Sequence, residues 1–75
     1  MDFLNNRGLT GRQTAVLLGK AQGKNNEAIA AEIGVGESTV AKELYTIYRL
    51  LGVKNAPAAV AIGYEEGWLK LPAKV

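Results

Sequence analysis

Lys42 and Arg49 stand seven residues apart, with Tyr45 between them and Ser38 one turn earlier. On a helix turning ~100° per residue the four fall in one stripe of two long cations, a phenol and a hydroxyl. Such a stripe binds: its N–H and O–H groups donate to phosphate oxygens or to base edges. It offers little with which to catalyse. The chain contains no histidine and no cysteine, which removes the commonest general base, the commonest metal ligand and the most reactive nucleophile together. The carboxylates are scattered singly except for Glu65 and Glu66, and neighbouring helical positions point ~100° apart, away from any shared substrate atom. The stretch GVGES from Gly34 lacks the spacing and the lysine of a phosphate loop. No catalytic residue, metal, cofactor or small-molecule site is expected, and the chain is not expected to be an enzyme.

The elements that must carry the stripe follow from punctuation and periodicity. The 75 residues, 48% hydrophobic and 21% charged, fit one small soluble domain. The longest apolar run, Ala58 to Ile62, is far short of the ~20 residues that cross a membrane, and the first residues do not read as a secretory signal, so none is expected. A cytoplasmic location is expected. Glycines at 8, 11, 23, 34, 36, 52, 63 and 67 divide the chain, and apolar residues recur between them at helical spacing. The first helix is expected from Thr10 as N-cap to about Gln22, with Val16, Leu17 and Ala21 inside. A short second helix starts from Asn25 or Asn26 and ends at Ile33, with Gly34 as its left-handed stop. The third runs from about Glu37 to Leu51 and carries the buried stripe Val40, Leu44, Ile47 and Leu51. The fourth has Asn55 as cap, Pro57 in its first turn, and Ala58 to Glu66 as its body. The expected fold is all-α: a compact four-helix domain, without a sheet, over residues 9–69. Residues 1–8 form an N-terminal arm and 70–75 a C-terminal tail.

Only Gly34, Val35 and Gly36 separate helices two and three, which forces a sharp crossing rather than an antiparallel hairpin. This is the spacing of a helix-turn-helix, whose second helix enters the DNA major groove. An ordinary three-helix corner without a nucleic-acid partner is the competing reading of these positions.

Several separated runs carry a family resemblance: LTGRQTAVL from Leu9, AQG from Ala21, the Asn26…Ile29-Ala30 spacing, STV from Ser38, and IYRLLGVKN from Ile47, followed by AVAI. Together they resemble the LuxR/GerE-type helix-turn-helix domain over nearly the whole chain. The resemblance implies a four-helix DNA-binding module of a bacterial transcription regulator, with the fourth helix supplying a dimer contact. Three positions depart from the family pattern. Ala41 stands where a lysine is usual, Glu43 where a histidine is frequent, and Ala56 where an arginine is usual. Gly19 and Lys20 fall where the family has leucines, so the core is expected to thin there and Lys20 to snorkel.

The candidate DNA contacts are Ser38, Lys42, Tyr45 and Arg49 on the outward stripe, with Thr39 and Ala41 beside it. Asn26 belongs with them at the start of helix two. Arg12, Lys24 and Lys54 are the flanking candidates for phosphate. Charge is unevenly spread: residues 1–24 carry +3, residues 25–52 carry −2 and residues 53–75 carry +1, giving the formal net charge of +2. The acidic middle weakens non-specific attraction to DNA. Helix four is apolar almost all round. Val60 and Tyr64 are expected to pack inward, and Ala59, Ile62, Gly63 and Glu66 to form a two-fold contact; alternatively, Trp68 and Leu69 fold over that face. The expected partners are double-stranded DNA and a second copy of the chain, which would act as a homodimeric regulator with helix three in the major groove. The other reading is a small antagonist that pairs with a related regulator through helix four and blocks its DNA binding.

Overall fold

Thr10 and Gln13 open the fold with a reciprocal cap. The Gln13 amide donates to Thr10 Oγ1 and the Thr10 amide to Gln13 Oε1, each at 3.0 Å, so two of the amides that a helix start leaves orphaned are satisfied at once. They begin α1 (Gly11–Ala21). The computed structural model describes residues 8–69, and three more helices follow: α2 (Asn26–Ile33), α3 (Glu37–Leu51) and α4 (Ala56–Glu65). Among the described residues the architecture is all-α with four helices and no strand, as the sequence implies. The first seven residues of the expected arm and the 70–75 tail lie outside those described. The cap of α2 is Asn25, which accepts from the Ala28 amide at 2.8 Å, and Asn55 caps α4 in the same way at 2.9 Å.

The corner between α2 and α3 depends on Gly34. Its φ of 76° is left-handed, a conformation that side-chain-bearing residues adopt reluctantly, and it lets the Ala30 carbonyl accept both the Gly34 amide at 2.9 Å and the Val35 amide at 3.0 Å. The chain turns within three residues. Ala30 is buried beneath the turn and Val35 packs against the core beside it.

The core joins all four helices: Val16 and Leu17 from α1, Ile29 and Ala30 from α2, Val40, Leu44, Ile47 and Leu51 from α3, and Ala59 from α4, with Leu9 and Leu69 closing the ends. The α3 stripe is buried as its spacing requires. Full burial of Val16, Leu17, Ile29, Val40 and Ile47 contributes ~1.5–3 kcal/mol for each side chain. At Gly19 the core is close rather than loose. A Cβ there would lie 2.6 Å from Ile29 Cγ1, so the missing side chain brings α1 and α2 together. Lys20 is half-buried, and its Nζ reaches Asn26 Oδ1 at 3.2 Å.

α4 is oriented differently from the sequence expectation. Ala59 and Gly63 face the domain's own core: Ala59 has no exposed surface, and a Cβ on Gly63 would lie 2.6 Å from Leu69 Cδ1 and 3.3 Å from Leu17 Cδ2. Neither can line a contact with a second copy. Val60 and Tyr64 do pack against the core as expected, but only half-buried, at its edge. In a helix apolar on nearly every side, residue size rather than hydrophobicity chose the inward face, since the smallest residues permit the closest approach. The Trp68–Leu69 segment folds back onto the helix, and the amides of both residues donate to the Gly63 carbonyl, at 2.9 and 3.1 Å.

Candidate nucleic-acid interface

With Val40, Leu44, Ile47 and Leu51 turned inward, α3 presents Ser38, Lys42, Tyr45 and Arg49 outward, all exposed, with Ala41 exposed at the edge and Thr39 half-buried. The 15-residue helix is about 22 Å long at ~1.5 Å per residue, longer than the ~12 Å width of a B-DNA major groove. Within the stripe the Arg49 guanidinium carbon lies 5.7 Å from the Tyr45 ring centroid. That spacing is within cation–π reach and holds the arginine along the helix surface. Among the described residues neither Lys42, Arg49 nor Lys54 has an ion-pair partner. Their charges remain available to an incoming anion.

The acidic residues of α3 lie off this stripe. Glu43 turns toward α1, where its Oε1 accepts from Gln13 Nε2 at 2.9 Å and its Oε2 lies 3.5 Å from Arg12 Nη1. It therefore ties two helices together instead of facing the outward stripe. Glu37 occupies the first turn, where a carboxylate complements the helix dipole. The cap residue there is Gly36, which supplies no side-chain hydrogen bond.

The flanking candidates divide. Lys54 is exposed just after α3. Arg12 is committed in part to Glu43, and Lys24 donates from Nζ to Glu32 Oε2, so each meets a carboxylate before any phosphate arrives. Asn26 is half-buried and engaged by Lys20. Gln13 was not singled out in the sequence, although Thr10-Gly-Arg-Gln13 has the spacing of a capping box. Tyr48 was not singled out either. It is half-buried, and desolvation pushes its phenol above the ordinary value. Among the described residues no cluster of side chains could hold a metal ion, and no helix is long and apolar enough to cross a membrane.

A family model described as bacterial regulatory proteins of the luxR family matches residues 7–62. Among curated proteins, the chain is 37% identical over 67 residues to the transcriptional regulatory protein YdfI of Bacillus subtilis (strain 168), an alignment covering 89% of this chain and 32% of that protein. It is 39% identical over 62 residues to the transcriptional regulatory protein DesR of the same organism, covering 83% of this chain and 31% of the relative. It is also 38% identical over 65 residues to the probable transcriptional regulatory protein SgaR of Hyphomicrobium methylovorum, covering 83% and 31%. The chain spans about a third of the length of these relatives. No solved structure gives a significant match.

Proposed function

The chain belongs to the luxR family of bacterial regulatory proteins, and from that premise we propose that it binds double-stranded DNA as a cytoplasmic transcription regulator, with α3 seated in the major groove. The observation that carries this reading is the outward face of α3, where Ser38, Lys42, Tyr45 and Arg49 are exposed and the carboxylates of the helix lie elsewhere. Lys42 and Arg49 are the side chains long enough to reach base edges, Ser38 and Tyr45 donate to bases or phosphates, and Thr39 and Ala41 border the contact. Lys54 is the flanking phosphate contact. Arg12, Lys24 and Asn26 contribute less than their residue types alone imply, because each already has a partner within the domain.

We further propose that the protein acts as a homodimer through the outer side of α4, where Ala58, Ala61 and Ile62 form a small apolar strip ending near Glu66. Two copies related by a two-fold axis would place their α3 helices in successive major grooves. The antagonist reading draws on the same strip and on the pairing of Arg12 and Lys24 with carboxylates. Selection of duplex DNA from a random pool by the purified chain, followed by titration at several salt concentrations, decides between them. An enriched palindrome bound with a steep salt dependence supports the regulator. Absence of binding at low salt overturns it, and loss of a related regulator's DNA binding on mixing supports the antagonist.

A further inference from the structure

An open groove of ≈ 400 Å³ runs beside the outward stripe of α3. Its walls are Ala41, Tyr45 and Tyr48 of α3, Ala56 of α4, Asn26 of α2 and Lys20 of α1. Among the described residues Lys20 is the sole cation that lines it, and no carboxylate does. The contrast with the two ion-paired basic residues is one of partner chemistry. Arg12 and Lys24 each face a carboxylate, whereas Lys20 faces the side-chain amide oxygen of Asn26. An amide fixes the position of the ammonium without cancelling its charge, and it uses one of three N–H donors. Two donors remain for a ligand. The groove has room because Ala41 and Ala56 form its walls with methyl groups. It shares Ala41 and Tyr45 with the stripe, so whatever lies along α3 passes its mouth, and Tyr45, 64% exposed, sets a phenol at the rim.

We propose that this groove seats one phosphate of the DNA backbone, with Lys20 Nζ as its cation, Asn26 as the residue that positions the lysine, and the Tyr45 hydroxyl as a second donor. The proposal rests on the DNA-binding reading above and adds a contact from α1, outside the helix-turn-helix. Lys20→Met retains most of the stem that packs at the α1–α2 crossing and removes the charge; Lys20→Arg retains the charge. Binding of wild type and both variants to the selected duplex and to an unrelated duplex is measured against salt, with circular dichroism to establish that each variant is folded. One lost phosphate contact lowers the magnitude of the log–log salt slope by about 0.9 and weakens binding at 0.1 M salt by roughly five- to tenfold, equally for both duplexes. Lys20→Arg keeps the wild-type slope. A folded Lys20→Met variant with wild-type slope and affinity overturns the groove assignment and leaves the DNA-binding reading standing. A wild-type chain that binds neither duplex at low salt overturns both.

Discussion

Gln13 Nε2 donates to Glu43 Oε1 at 2.9 Å across thirty residues of chain, while the other end of the same amide closes the cap of α1. One buried side chain thus couples the start of α1 to the middle of α3. Glu43→Ala leaves the amide donor facing a buried gap and is expected to lower unfolding stability by ~1–3 kcal/mol. Glu43→Gln retains an acceptor and loses only the partly exposed pair with Arg12, at a cost of less than ~1 kcal/mol. Urea unfolding of the two variants checks this. Equal losses would show that the charge, not the hydrogen bond, holds the helices.

Gly19→Ala reverses the usual helical preference. Alanine normally favours a helix interior over glycine by ~0.5–1 kcal/mol, but here its Cβ would meet Ile29 Cγ1 at 2.6 Å and Cδ1 at 2.9 Å. Ile29 is fully buried and cannot swing aside. A net loss of ~1–3 kcal/mol is expected in thermal or urea unfolding, and pairing the change with Ile29→Val should recover part of it in a double-mutant cycle.

The helices were legible because their ends carry local chemistry, namely Thr10, Asn25 and Asn55 as caps and Gly34 as a left-handed stop, and because the α3 stripe is amphipathic. α4 has no such stripe: Ala58 through Ile62 is apolar without interruption, so nothing local distinguishes Ala59 from Val60 as the inward residue. The pairings of Arg12 with Glu43 and Lys24 with Glu32 join positions separated by turns of the chain, and only the folded arrangement brings them together. The outward stripe could be read directly, since it is the complement of a buried one. The groove could not, because its walls come from four different helices.

Lys42→Ala and Arg49→Ala are each expected to weaken binding to the selected duplex by ~1–3 kcal/mol if they contact bases. Uniform weakening across unrelated duplexes would make them phosphate contacts. Tyr45→Phe should retain the stacking that steadies Arg49 and lose only the hydroxyl, so its effect should be smaller than that of Tyr45→Ala. Fluorescence anisotropy with matched and mismatched duplexes separates these outcomes.

The proposed dimer strip is best tested at Ala61. Ile62 packs partly against the domain's core, so Ile62→Glu would disturb folding and association together. Ala61 is exposed, and Ala61→Glu should leave the thermal transition nearly unchanged while shifting sedimentation toward the monomer. A folded variant that stays dimeric refutes the assignment of α4.

Burial raises the pKa of Tyr48, and the sign of its linkage follows. Below the ordinary phenol value of about 10 the group is neutral folded and unfolded, and its contribution to stability is fully present. Above that value the unfolded chain ionises first while the folded one resists, so stability falls as pH rises toward the folded pKa. Tyr48→Phe should flatten the alkaline limb of a plot of urea midpoint against pH. An unchanged limb would assign the loss to other groups.

The luxR-family match ends at residue 62, but the packing does not. Leu69 is buried against Gly63, and both Leu69 and Trp68 hang from the Gly63 carbonyl. The recognisable motif and the packed unit therefore differ in length: a chain cut at the edge of the match would lose Gly63 and Leu69 and bare one side of Leu17, and a graft of this module onto another protein needs its junction beyond Leu69.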